Sequence, residues 1–235
     1  MERWRDDFMT QANEEKHYFH INRLLPYSPH QLLKEGDVAD VGGESNPFFR
    51  FYETCKRTYP VTVEGGEIVQ VPGVKFLGAV KRGEVNCHNL ANVAAELSTH
   101  FAGLVGELIW EDVRKREFPH LPSRQRCVWL IPDLAGVKYW VARLGAASGT
   151  FQVLRVRCQG RIHIASEEFL LGDSIPLEEA ISQARRYWLG VITNANTEEV
   201  IFEGRIIIQE VLAPEQYETA QSEQIGQPID IDKGK

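Results

Sequence analysis

The sequence predicts an α+β fold, in which short strands alternate irregularly with helices. Three observations predict it. Residues 89–116 repeat apolar side chains at helical spacing, while residues 127–131, 151–158 and 200–212 read as strands. The links between these segments differ too much in length for a regular strand–helix–strand winding. No G-x-G-x-x-G or P-loop pattern occurs, so nucleotide chemistry would not rest on a Rossmann-type site.

In chain order, residues 1–16 form a polar N-terminal extension. Lys16 to Ile21, rich in aromatic and β-branched residues, reads as a strand. Pro26 and Pro29 break the chain, and Gly42 to Pro47 is a loop. Phe48 to Thr58 reads as a short helix. Residues 60–82 read as paired strands around Gly65-Gly66.

The best helix runs from Asn89 to Arg116, with Leu90, Val93, Ala94, Leu97, Phe101, Leu104, Val105, Leu108 and Ile109 as its apolar stripe. Cys127 to Ile131 is a buried strand. A second helix runs from Asp133 to Leu144, Asp133 sitting at its N-terminus. Phe151 to Cys158 is a strand, Gly160 a turn, and Arg161 to Ile164 a further strand. Pro176 to Trp188 is a third helix, and Val200 to Leu212 is strand-like around Gly204. Residues 17–213 thus read as one domain and 214–235 as a polar tail.

Composition narrows the function classes. The formal net charge is -7, which opposes a global nucleic-acid footprint. The segment 114–126 is a local exception, with five Lys/Arg against one acid. It reads as a contact for phosphates, whether of a nucleotide or of nucleic acid, or equally as cations offsetting a helix dipole. No stretch is apolar enough to span a membrane, and the N-terminus lacks a signal-peptide core, so a cytoplasmic protein is expected. Cys55, Cys87, Cys127 and Cys158 are widely separated and form no C-x-x-C pair. Reduced thiols are expected, and Cys87-His88 lacks a second pair to complete a metal site.

Three pieces carry a resemblance. The first is Tyr18-Phe19-His20-Ile21-Asn22-Arg23 with Leu33-Lys34-Glu35-Gly36-Asp37-Val38 and Gly42 to Asn46. The second is Arg126 to Leu134, running into Lys138-Tyr139-Trp140-Val141-Ala142-Arg143. The third is Thr197 to Ile206, preceded by Ala184-Arg185-Arg186-Tyr187-Trp188-Leu189-Gly190. In this order they resemble the ADP-ribosyltransferase superfamily, in its His-Tyr-Glu class, near the rifampin-modifying enzymes and bacterial toxin-like members.

The resemblance implies a split mixed β-sheet core surrounded by helices and NAD as substrate. It assigns the adenosine ribose to His20, stacking on nicotinamide to Trp129 where the class has tyrosine, and the catalytic carboxylate to Glu199. Ile21 stands where those enzymes have glycine at the nicotinamide amide. Tyr139 or Trp140 would complete an aromatic sandwich. Arg23, Ser123 and Arg124 are further cofactor-binding candidates, an arginine gripping pyrophosphate bidentately.

The chemistry is coherent. Cleaving the nicotinamide bond of NAD builds positive charge on ribose, which a carboxylate stabilises while orienting the nucleophile. A flat apolar slot stacks nicotinamide and excludes water. No metal is required. The expected function is mono-ADP-ribosyl transfer to RNA, DNA or protein, in a toxin, toxin–antitoxin or phage-defence setting with an antitoxin protein as a further partner. An NAD glycohydrolase uses the same pocket with water. A non-catalytic binding module keeps only the fold. Taken singly, His20 also reads as a core histidine, Trp129 as packing and Glu199 as a solvated strand end.

Overall fold

A computed structural model describes residues 17–24, 32–148, 151–170, 175–193 and 198–218. The extension at 1–16, Thr197 and most of the tail after 214 lie outside the described residues. The fold is α+β. Its strands are β1 (Tyr18–Arg23), β2 (Val38–Val41), β3 (Thr58–Thr62), β4 (Ile68–Pro72), β5 (Val128–Leu130), β6 (Phe151–Ser166) and β7 (Glu198–Leu212). Its helices are α1 (Pro47–Thr54), α2 (Gly73–Lys81), α3 (Leu90–Glu117), α4 (Leu134–Ser148), α5 (Leu177–Trp188) and α6 (Pro214–Glu218). A five-stranded sheet follows the order β1-β6-β7-β2, with β5 pairing β7, and β3 and β4 form an antiparallel hairpin. No helix among the described residues is long and apolar enough to cross a membrane.

The chain packs as two compact units. One includes Asp40–Val128 and Gly160–Gly204. The other includes Trp129–Gln159 with the described parts of Ala12–Ala39 and Arg205–Lys235.

In the first unit, α1 starts where Asn46 accepts from the Phe49 N–H at 2.9 Å, and Pro47 supplies the preset φ of a first helical turn. The β3–β4 hairpin turns at Gly65 and Gly66, with φ of 97° and 82°. The paired strands expected through residue 82 stop at Pro72. Residues 73–81 are helical instead, because Phe76, Leu77 and Val80 follow a helical period and pack with Val93 and Leu97 of α3.

Helix α3 is about 42 Å long at 1.5 Å per residue, and it departs from the expected stripe. Phe101, Val105 and Leu108 are exposed at 47%, 50% and 50%. The buried face continues instead through His100, Gly106, Glu107, Trp110, Glu111 and Arg114. Glu107, Glu111 and Arg114 are accommodated there because each is hydrogen-bonded by a buried partner.

The turn expected at Gly160 is absent, since β6 runs unbroken through it. A Cβ on Gly160 would stand 2.2 Å from the Glu203 carbonyl oxygen and 2.8 Å from Gly204 Cα. Glycine here permits close backbone approach rather than reversal. In α5, Glu178 and Glu179 open the helix and Arg185 and Arg186 close it, each complementing the helix dipole.

In the second unit, β1 pairs antiparallel with β6, Phe19 opposite Arg155 and His20 opposite Leu154. Phe19, Ile131, Val137, Val153, Leu212 and Tyr217 form its core. The segment after Pro214, expected to be polar, opens with α6, whose Tyr217 is buried. Helix α4 begins where Asp133 accepts from the Gly136 N–H at 2.7 Å.

Candidate functional site

Within the first unit, the side chains that resist explanation as packing converge on Arg124. Its guanidinium is buried and lies just past the turn that follows α3. Nη2 donates to Glu107 at 3.0 Å and Nη1 donates to the Tyr187 hydroxyl at 3.0 Å. Nη1 also donates to Oε1 of Glu199, and the Tyr187 hydroxyl donates to that same oxygen. One guanidinium is therefore shared by two carboxylates from separate elements, α3 and β7. The Glu199 side chain is only 11% exposed.

Burial opposes the charge of Arg124. Glu199, then Tyr187 and Glu107, outweigh it and hold the guanidinium protonated well above its ordinary range. Burial, then the charge of Glu199, pushes the Tyr187 phenol well up, so it stays a donor at neutral pH.

A second ring of contacts fixes this centre. The Ser123 N–H donates to Glu203 at 3.0 Å, and its hydroxyl donates to Glu111 at 2.8 Å. Arg114 donates to both oxygens of Glu111, at 2.7 and 2.9 Å, a bidentate pair. Although burial pulls the other way, Arg114 and Ser123 lower the Glu111 pKa. Arg161 donates to Glu203. Asn46 donates to the carbonyls of Arg124 and Cys127, at 2.8 and 3.0 Å, pinning the loop that carries Arg124. A cavity of about 200 Å3 opens on the centre, lined by Tyr52, Gly103, Gly106, Glu107, Trp110 and Arg124. At Gly103 an added Cβ would stand 2.5 Å from the Tyr52 hydroxyl, so glycine there makes room for that side chain.

In the second unit, Phe19 and Ile131 exchange both backbone hydrogen bonds at 2.8 Å, and the bridge is isolated. In an antiparallel ladder the next rung would pair Ile21 with Trp129. The Trp129 carbonyl instead accepts from the His20 imidazole Nδ1 at 2.9 Å. Strands β1 and β5 separate where the imidazole stands. A carbonyl only accepts, so Nδ1 carries the proton.

The remaining expected residues are dispersed. Ile21 packs against the second unit's core, Arg23 is exposed at the end of β1, and Trp129 is half-buried in β5. Trp140 packs on that core. Tyr139 meets Trp140 edge-on at 5.4 Å, and Arg143 lies 5.0 Å over the Trp140 ring. The structure thus joins His20 to Trp129 in one unit. In the other unit it joins Glu199 to Arg124, and Ser123 to the carboxylates Glu111 and Glu203. Arg124 spends its donors on internal partners.

Sequence reasoning passed over Glu107 and Glu111, took Arg114 only as part of the basic segment 114–126, and gave Tyr187 and Glu203 no role of their own within the stretches that carry the resemblance. A signal for three of them was present: Glu107, Glu111 and Arg114 recur at i, i+4 and i+7 beside Trp110, a charged stripe on a face with apolar neighbours. Among the described residues, no group of three His, Cys, Asp or Glu is placed to hold a metal ion.

Fold and site together define an α+β protein built around a buried arginine–carboxylate centre. The chain belongs to the family described as "Protein of unknown function (DUF2441)", which matches residues 18–214. No curated protein matches it.

Proposed function

We propose that the protein is an NAD-dependent ADP-ribosyltransferase with a split-sheet fold of that superfamily, passing ADP-ribose to a macromolecule. The observation that carries the reading is the opening of β1 from β5 at His20. An imidazole replaces a ladder hydrogen bond at the residue to which the resemblance assigns the ribose. This fixes the ring and its tautomer, so that in the neutral form Nε2 is the acceptor for a hydroxyl.

Within its own unit, Glu199 suits the charge-stabilising role. Its Oε1 is oriented by Tyr187 and Arg124, and a preorganised carboxylate stabilises positive charge on ribose without reorganising during the reaction. In this reading Arg124 acts as a positioning residue for Glu199.

The test is release of nicotinamide from NAD by the full chain, with RNA, DNA and protein offered as acceptors. Glu199→Gln should lower the rate by about 100-fold or more, the scale of losing one electrostatic partner of a transition state. His20→Ala should raise KM for NAD. Label appearing on a macromolecule supports transfer, whereas nicotinamide release without label identifies a glycohydrolase. Equal NAD consumption by wild type and Glu199→Gln overturns the assignment of the carboxylate. If the wild type neither binds nor consumes NAD, the enzyme reading fails.

A further inference from the structure

The basic segment 114–126 lies in the first unit, and the centre at Arg124 uses only part of it. Two buried carboxylates organise the rest. Glu111 accepts from Arg114, and Lys115 Nζ lies 3.7 Å from the same carboxylate. Glu203 accepts from Arg161, and Arg126 Nε lies 4.0 Å from it. Ser123 bonds both acids, its hydroxyl to Glu111 and its N–H to Glu203, so the groups form one cluster.

Four cations thus share two anions. Arg114 is buried with its acid, whereas the side chains of Lys115, Arg126 and Arg161 are exposed at 64%, 43% and 51%. The flanking pairs, Arg116 with Asp112 and Arg185 with Glu117, are balanced and add nothing. The cluster therefore carries two positive charges in excess, on side chains that water reaches. The C-terminal dipole of α3 is equivalent to about half a negative charge, so offsetting it leaves most of the excess. The net charge of -7 does not cancel it from afar, because screening confines each exposed charge to roughly 8–10 Å at physiological salt.

The surface is also held in place. Arg114 Nη1 donates to the Leu121 carbonyl at 3.0 Å, and Arg161 Nη1 donates to the His120 carbonyl at 3.4 Å. Among the described residues, neither Lys115 nor Arg126 donates a side-chain hydrogen bond, so their N–H groups are left for a ligand. The excess is divided between two carboxylates rather than gathered at one point. A chain of phosphates matches such a division, and a single small anion does not. Glu199 and Glu203 stand four residues apart on one face of β7, about 13 Å at 3.3 Å per residue.

We propose that Lys115, Arg126 and Arg161 bind the phosphate backbone of a nucleic acid. The binding surface stands without the NAD reading. Its role as the seat of the ADP-ribose acceptor, beside Glu199, rests on that reading.

The test follows the fluorescence anisotropy of labelled single-stranded RNA and DNA dodecamers on the full chain, without NAD, from about 50 to about 200 mM salt. Affinity is expected to fall with salt at a log–log slope of about -2, the value for three phosphates of a single strand. Lys115→Gln together with Arg126→Gln should flatten the slope to about -0.7 and weaken binding about 10-fold at the lower salt. Both side chains are exposed and donate no hydrogen bond, so the loss does not depend on unfolding. Lys75→Gln, at an exposed lysine of α2, should leave binding unchanged. Tighter binding of one strand identifies it as the source, and equal binding identifies the shared backbone. No binding of either strand, a double variant that binds as wild type, an equal loss in Lys75→Gln, or poly-glutamate of equal charge competing as well as RNA overturns the proposal. Because NAD is absent, failure here leaves the NAD reaction standing, and a chain inert toward NAD leaves this surface standing.

Discussion

Tyr187 donates its hydroxyl to Oε1 of Glu199, the same oxygen that receives Arg124. The phenol therefore aims the carboxylate without neutralising it. Tyr187→Phe keeps the ring and its edge-on contact with Trp188 at 4.8 Å, and removes the hydroxyl that donates to Glu199 and accepts from Arg124. Stability should fall by about 2 kcal/mol in urea unfolding, at the usual net worth of about 1 kcal/mol for each hydrogen bond. If Glu199 acts on NAD, kcat should fall while KM stays within about twofold, since aim matters in the transition state.

Arg124 is the only cation between Glu107 and Glu199 among the described hydrogen-bond partners of the centre. Arg124→Met leaves two buried acids facing a thioether. Breaking a buried pair in this way typically costs about 3–5 kcal/mol. Adding Glu107→Gln should recover part of the loss. Urea midpoints of the three variants measure the coupling, and purely additive effects would show that the pair does not interact.

His163 gives the fold a pH dependence. Its Nε2 donates to the Tyr187 carbonyl at 2.9 Å, and burial pushes its pKa down to about 4 from the ordinary 6.5. The folded ring resists a proton that the unfolded chain accepts. Stability should therefore fall as pH drops from 6.5 toward 4, and level off below. Between pH 7 and 4.5 the loss from this group is roughly 2 kcal/mol. His163→Phe should flatten that part of the stability curve, as followed by thermal unfolding across pH.

Gly160 should tolerate no side chain. An added Cβ would meet the Glu203 carbonyl oxygen at 2.2 Å, a backbone atom that cannot swing away. Gly204 beside it has φ of 140°, a conformation that disfavours side chains. Gly160→Ala should cost about 3 kcal/mol or more, by analogy with other strained or overpacked sites, and deplete soluble protein on expression. Near-wild-type melting would show that β6 and β7 can move apart here.

The sequence made the long elements readable because they follow single-period patterns. Helix α5 and strands β6 and β7 lie close to where propensity and spacing put them. Helix α2 was obscured because Val74-Lys75-Phe76-Leu77 suits both periods, and only packing against Leu97 decides for the helix. Gly160 was misread because a turn glycine and a close-approach glycine look alike in one dimension. Glu199, Arg124 and Ser123 stand out in the sequence as candidates, and the structure pairs Glu199 with Arg124 and ties Ser123 to Glu111 and Glu203. Their partners Glu107 and Tyr187 lie 17 and 63 positions from Arg124, and no local pattern encodes a hydrogen bond across that distance.

The four cysteines are all free thiols, and their burial divides them. Cys127 and Cys158 are enclosed; burial drives the first thiol well up and the second to about 12, leaving almost no thiolate at neutral pH. Cys55 and Cys87 are half-buried. Cys55 ends α1, and its N–H bonds the Phe51 carbonyl at 2.9 Å. A thiol-directed fluorophore on a Cys87→Ser variant would thus settle on Cys55 alone, one helical turn from Phe51. The native sequence already carries the attachment point for an optical reporter on the end of α1.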